Sequence, residues 1–196
     1  MNSFLDRDEL LQMGFRSLGE RVLISRKASI YGASKISLGH DVRIDDFVVL
    51  SGNITVGNYI HIAAFCAFYG GEAGIEIGDF CNFSSRISMY AISDDYSGES
   101  MTNPMIPDKY KHLEHGKVVL KKHVIIGSGS VVLPGLTIGE GCSIGALSLV
   151  KRDLPEWTIC AGTPAKPIRA RSKNLLKYEQ QFLEEMADIS ADKSGG

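Results

Sequence analysis

The side chains able to exchange a proton near neutral pH are five histidines, and four of them fall where the chain turns or loses its pattern. His61 and His123 each stand just before a short hydrophobic unit, at a turn from which they can face a cleft, His123 as a proton acceptor and His61 as an acceptor contact. His112 and His115 lie in a long polar stretch and can reach a neighbouring subunit; His40 is the weakest of the five. A lone histidine at a turn is more often structural than catalytic. Four cations, Lys151, Arg152, Lys166 and Arg169, flank or enter the run AGTPAKPIR at 161–169. Lys and Arg so gathered suit phosphate groups, the alternative being ordinary solvated cations on a polar face. Cys66, Cys81, Cys142 and Cys160 form no CxxC pair and have no histidines at zinc spacing, so neither a metal site nor a disulfide framework is expected. The run GSGSVVLPG has the look of a dinucleotide-binding glycine loop, but no helix can follow through Val131, Val132, Leu133 and Pro134.

The elements that must position these residues come from a repeat. Aliphatic or aromatic anchors recur every sixth residue: Ile24, Ile30 and Ile36; Leu38, Ile44, Leu50, Val56, Ile62 and Phe68; Ile77, Phe83 and Met89; Leu120, Ile126, Val132, Ile138, Ile144 and Val150. The fourth residue after an anchor is mostly small or β-branched, as in Val42, Val48, Cys66, Cys81, Val124, Ser130, Cys142 and Ser148, so three of the cysteines occupy this packing slot. Gly often follows the anchor itself. A six-residue period fits neither a 3.6-residue helix nor one alternating strand, because Gly, Asn and Asp interrupt each unit. A corner at every unit is required, and three short strands joined by corners make one triangular coil whose stacked copies pair in parallel.

The repeat fails in three places. The Gly-rich run YGGEAG adds three residues between Phe68 and Ile77 and predicts a small bulge. Between Met89 and Leu120 the pattern vanishes, and 92–118 reads as a long excursion, a length that is usually functional or disordered. After Val150 the chain is expected to leave the coil, with Ser172 capping a helix through about Ala187 that carries Leu175, Leu176, Phe182, Leu183 and Met186 on one face, and ADKSGG as a frayed tail. Ser3 with Asp6 predicts the cap of a short helix ending near Gly14. The expected divisions are a helical cap at 1–20, a β-helix at 21–170 with the excursion inside it, and a C-terminal helix and tail at 171–196.

Units such as Ile138-Gly-Glu-Gly-Cys-Ser and Ile126-Gly-Ser-Gly-Ser-Val resemble those of the hexapeptide acyltransferase family over roughly residues 20 to 170. The resemblance implies an all-β fold, a left-handed parallel β-helix of hexapeptide repeats with short terminal helices. Handedness comes from the family alone, since the general rule for parallel crossovers gives the opposite hand. It further implies acetyl-coenzyme A as cosubstrate with no permanently bound cofactor and no metal. IGALSLVKRDLPEW and AGTPAKPIR look like the family's coenzyme A segment. Alignment with galactoside acetyltransferases places Ser128 and Ala146, one coil apart, at pantetheine-contacting positions, Lys151, Arg152, Lys166 and Arg169 near the cofactor's phosphates, and Pro164 in the same segment. A homotrimer with sites between neighbouring coils is also implied.

The sequence departs from those relatives where they carry a catalytic histidine: Ser93-Asp94-Asp95-Tyr96 stands there, with Asp94 in the histidine's place. A carboxylate of ordinary pKa, about 3.9, is a poor base for a hydroxyl. An amine is already a competent nucleophile in its neutral form and needs orientation and a proton acceptor more than activation. The substitution therefore favours N-acylation, and the constellation resembles acetyltransferases of nucleotide-linked 4-amino-4,6-dideoxyhexoses used in bacterial surface polysaccharide such as O-antigen. The other reading of Asp94 is a turn cap, with a histidine doing the work. Tyr90, Ser84, Ser85 and Arg86 on the coils entering the excursion, and Glu72 in the bulge, are the candidate acceptor contacts, Arg86 either for a nucleotide diphosphate or in a structural ion pair. A sugar O-acetyltransferase and a non-enzymatic scaffold remain the competing classes.

Composition agrees with one soluble domain: 196 residues are 44% hydrophobic, and 21 Lys and Arg against 23 Asp and Glu give a net charge of −2. No cationic field is available for nucleic acid or an anionic membrane, so neither is an expected partner. The first residues lack a basic start and apolar run, and the expected location is the cytoplasm.

Overall fold

The structure, a computed structural model, describes residues 3–194. Short strands, most of them two or three residues long and separated by turns, wind into stacked coils of three faces each. Val42 lies beside Ile60, Ile36 beside Ile54, Val49 beside Ala67, and Val131 beside Leu149, each partner eighteen residues on and parallel. Eighteen is three hexapeptides, so one coil is three units. Insertions show as longer steps: Ala67 pairs with Ser88, and Ser88 with Val131, before the eighteen-residue step resumes.

The first face holds Ile36–Leu38, 54–56, 75–77, Val118–Leu120 and Thr137–Ile138. The second holds Leu23–Ile24, Val42–Ile44, Ile60–Ile62, Asn82–Phe83, Ile125–Ile126, Ser143–Ile144 and Thr158–Ala161. The third holds Ser29–Tyr31, 49–51, 67–69, Ser88–Tyr90, Val131–Val132 and Leu149–Val150. Thr158–Ala161 pairs in parallel with Ser143–Ile144, so the coil continues one strand beyond Val150, where the sequence pattern had ended. The missing six-residue spacing between Val150 and Cys160 hid it.

Every anchor but the half-buried Ile30 is sealed inside, and the small-residue slots fill the space between them. Each such aliphatic side chain contributes about 1.5–3 kcal/mol on burial. The three buried serines are satisfied internally, Ser130 and Ser148 both donating to the Gly145 carbonyl, at 3.1 and 2.7 Å, and Ser25 donating to the Asp46 carboxylate.

The corners turn on a residue in the left-handed region, three after the anchor. Glycine fills it at 129, 135 and 141, but Asp41, Phe47, Tyr59, Phe65, Phe80, Arg86, His123 and Leu147 fill it elsewhere. That conformation costs an L residue roughly 1–2 kcal/mol. Stacking between coils offsets it: Tyr59 stacks on Phe80 at 4.8 Å and Phe80 on His123 at 5.2 Å, while the N–H groups of these three donate to the His40, Asn58 and Asp79 carbonyls of the coil before.

The N-terminal end is closed by α1 (Arg7–Gln12), whose cap is Asp6, paired with Glu9 in a reciprocal box, where the sequence pointed to Ser3. Glu9 suits the third helical position, which fixes the register. At the other end Lys166–Ala170 returns antiparallel on Thr158–Ala161 and covers the terminal edge of the second face. The C-terminal helix α2 (Leu175–Ser194) starts after Ser172, whose hydroxyl accepts the Asn174 N–H at 3.2 Å, and runs past Ala187 through most of the expected tail. Gly195 and Gly196 of that tail lie outside the described residues.

Candidate functional site

The register assigns each candidate to an edge of the prism. Ser84, Ser85 and Arg86 lie at the edge between the second and third faces, where Ser85, Ser128 and Ala146 form one column: the Gly129 N–H donates to the Ser85 carbonyl at 3.1 Å and the Leu147 N–H to that of Ser128 at 2.9 Å. The two pantetheine positions are therefore continuous with the acceptor-side serines. Among the described residues no protein group engages the Ser84 hydroxyl. Arg86 turns this corner at φ 62° with its guanidinium 5.9 Å from the Phe65 ring centroid.

His61 lies on the second face between Arg43 and Asn82 and points outward, since its neighbours Ile60 and Ile62 are buried. Its Nε2 is 2.8 Å from Asp45, which also accepts from Arg43 at 2.7 Å. Burial opposes ionisation of Asp45, but hydrogen bonds from His61 and Arg43 outweigh it and hold the carboxyl below the ordinary range.

Asp94 belongs to the edge between the third and first faces, where the excursion leaves. Ile92–Asp94 pairs antiparallel with Leu113–His115, so the two limbs form a ribbon, a feature the sequence did not signal. Asp94 is half-buried and its Oδ1 receives the Asn103 N–H at a long 3.4 Å. Beside it, Asp95 accepts the Ser97 N–H at 2.8 Å, the Ser100 N–H at 3.1 Å and the Ser100 hydroxyl at 2.9 Å. Hydrogen bonding from Ser97, then Ser100, holds its carboxyl down at about 2. The signal was present in the Asp-x-Ser spacing of an Asx turn. Tyr90 stacks on Tyr69 at 5.3 Å at the start of this edge, and Glu72 is exposed in the bulge, its carbonyl accepting from Asn53 at 3.4 Å. Neither Tyr90 nor Glu72 lies in the serine column.

Lys151 and Arg152 are exposed where the last coil ends, and Lys166 and Arg169 are exposed along the returning strand. Pro164 follows a cis peptide bond in the turn between, while Ala165 tucks inward with its N–H on the Leu149 carbonyl at 2.8 Å.

His123 is elsewhere. It sits at the edge between the first and second faces, only 7% exposed, its ring on Phe80 and its Nε2 2.7 Å from Glu179 of α2. Lys122 also reaches Glu179, Arg171 donates to the His123 and Gly141 carbonyls at 2.9 and 3.0 Å, and Phe182 meets Tyr59 edge-on at 5.1 Å. A shallow cleft lined by Tyr59, Phe80, Leu175, Tyr178 and Phe182 belongs to this helix contact. The structure brings neither Asp94 nor the serine column to His123, which anchors α2. Glu179 could not be matched to His123 from a sequence lacking any spacing rule between helix and coil. Among the described residues no three His, Cys, Asp or Glu side chains converge as a metal site, and no helix is long and apolar enough to cross a membrane.

Residues 117–152 match the family model described as bacterial transferase hexapeptide (six repeats). The chain is 49% identical over 183 residues to dTDP-4-amino-4,6-dideoxy-D-glucose acyltransferase of Escherichia coli, spanning 92% of this chain and 95% of that one. Its structure superposes with a TM-score of 0.93 on AntD, an N-acyltransferase from Bacillus cereus, in complex with dTDP and 3-hydroxybutyryl-CoA, at 52% identity over 95% of this chain and 100% of AntD. The S84A mutant of AntD, in complex with dTDP-4-amino-4,6-dideoxyglucose and coenzyme A, superposes at 0.92, with 51% identity over 94% and 100% of the two chains; AntD has also been solved as its D94A and D94N mutants. Stacked parallel coils, a column of small residues ending at an exposed cationic turn, and near full-length similarity at this level make the chain a member of the hexapeptide-repeat acyltransferases with the left-handed β-helix fold.

Proposed function

We propose that the protein transfers an acyl group from an acyl-coenzyme A, acetyl being our first assignment, to the 4-amino group of a dTDP-linked 4-amino-4,6-dideoxyhexose. The observation that carries this reading is Asp94, a half-buried carboxylate at the base of the excursion where a hydroxyl-activating relative has histidine. Similarity along nearly the whole length to the E. coli enzyme supports the acceptor class. Acyl-coenzyme A would lie along Ser128 and Ala146, its phosphates toward Lys151, Arg152, Lys166 and Arg169, which brings the thioester to the Ser84 and Ser85 end of the column. The neutral amine attacks the thioester carbonyl, the new C–N bond forms, and the tetrahedral intermediate collapses with loss of the C–S bond. Asp94 accepts the hydrogen bond of the attacking amine and receives its proton, which passes to the departing thiolate, so the products are the amide and free coenzyme A. No acyl-enzyme is required.

The assembly we propose is a homotrimer with sites between subunits. Asp94 and the serine column stand at different edges of one prism, which supports a site completed by two chains. The proposed setting is the cytoplasm, where acyl-coenzyme A is available, and the acylated sugar suits incorporation into surface polysaccharide such as O-antigen. Single-turnover assays with acetyl-coenzyme A and dTDP-4-amino-4,6-dideoxyglucose, against the 4-hydroxy analogue, test the reading. Amide formation with no ester product is expected; preferential acylation of the hydroxy sugar overturns it. A 3-hydroxybutyryl thioester run in parallel decides the acyl group.

A further inference from the structure

No residue from Ile92 to Lys117 is buried, so the excursion cannot owe its shape to a hydrophobic core of its own. Tyr96 and Met105 are 93% and 88% exposed. What joins its limbs is polar. The outgoing limb is gathered by Asp95, whose Oδ1 takes the Ser97 N–H and whose Oδ2 takes both the N–H and the hydroxyl of Ser100. The Ser100 oxygen then accepts the His112 N–H of the returning limb at 3.1 Å. One residue further, the Met101 N–H donates to the Tyr110 carbonyl at 2.9 Å, and the next contact toward the tip is the Asn103 N–H on Asp94. The chain of contacts therefore runs from Asp95 through Ser100 to the segment that touches the Asp94 carboxylate.

We infer that Asp95 is a positioning residue for the transfer reaction, closing the base of the excursion through Ser100 so that Asn103 holds the Asp94 carboxylate in place. The inference rests on the role proposed for Asp94. Asp95 itself need not meet the substrate, because all its hydrogen bonds are spent on the loop. Hydrogen bonding keeps it ionised across any working pH, so the clasp does not loosen in the neutral range. Replacing it with Asn leaves one acceptor for the Ser97 N–H but presents an NH2 group to the Ser100 N–H, donor against donor.

A double-mutant cycle separates positioning from general structural damage. D94N alone should lower kcat by about 100-fold, in the range for a lost proton acceptor. D95N alone should lower kcat by roughly tenfold while KM for acyl-coenzyme A stays unchanged, since the coenzyme column is on another edge. In the D94N background, D95N should then cost less than about twofold, because the group it positions is already gone. S100A should reproduce D95N and S100T should restore activity, which keeps the test available should D95N fold poorly. Wild-type kcat in both D95N and S100A, or losses that multiply fully with those of D94N, overturns the positioning role. Undiminished turnover in D94N instead removes the role of Asp94, and that result is read from the single variant alone.

Discussion

The Nε2 of His123 and the carboxylate of Glu179 meet at 2.7 Å across 56 residues of sequence, joining a β-helix corner to the C-terminal helix. Both side chains are nearly sealed from solvent, at 7% and 10% exposure. Burial opposes ionisation of Glu179, but hydrogen bonds from Lys122 and His123 outweigh it and depress its pKa.

A depressed carboxyl contributes stability that is present above its unfolded value, about 4.3, and is lost as pH falls through the lower folded value. Docking of α2 should therefore weaken below about pH 4, seen as faster amide exchange in that helix. E179Q should abolish this pH dependence, and both it and H123A should speed protease cleavage of α2 roughly tenfold or more at pH 7. Unchanged cleavage in both variants would show that the pair does not hold the helix.

The cationic turn makes a kinetic prediction. K166A and R169A should each raise KM for acyl-coenzyme A by about tenfold with kcat little changed, the pattern for lost uniform binding. A thioester of pantetheine lacking the nucleotide should show no such difference between wild type and variants. An equal penalty with both donors would move these cations away from the phosphates.

Gly127 sits between the anchor Ile126 and Ser128, and a Cβ there would press into the backbone of Ala146 on the next coil closer than real atoms approach. G127A should cost about 1–3 kcal/mol, the usual range for overpacking. It should also weaken coenzyme A binding measured by calorimetry, since it spreads the two coils that carry Ser128 and Ala146. Full stability with normal binding would mean that the coils part without disturbing the column.

Burial pushes the thiols up, Cys66 to about 11 and Cys81 and Cys142 to about 12, and raises Cys160 as well. At pH 8 a thiol of pKa 11 is ionised in about one part in a thousand. All four should resist alkylation until the protein is denatured, as mass spectrometry can score. Native labelling of any one would place it outside the sealed interior.

The anchors from Ile24 to Val150 were legible because a buried position recurring every sixth residue leaves few alternatives, and all but Ile30 are inside. The corners were not. Glycine at 129 and 141 announces a left-handed turn, but Phe47, Tyr59 and His123 take that same conformation at a cost that stacking between coils offsets, and only the assembled fold supplies the partner. His123 shows the limit for function: its place before the Ile126 unit was correctly a corner, yet the use of that corner depends on a helix more than fifty residues away. Asp94 stood out by departing from the family's pattern, whereas the ribbon that carries it is encoded by no alternation longer than Ile92–Asp94 itself.

The edge between the third and first faces is where the coil changes length. The excursion exits there, the bulge of Gly70 and Gly71 lies there, and Val49–Val56 and Ala67–Ile77 pass round it as continuous strands. Elsewhere one added residue would rotate every later anchor out of the interior. Here the chain can be lengthened or rewritten while eighteen-residue stacking resumes on the far side. Changes in chain length are thus confined to a single seam, and the stacking of the coils on either side of it is left intact.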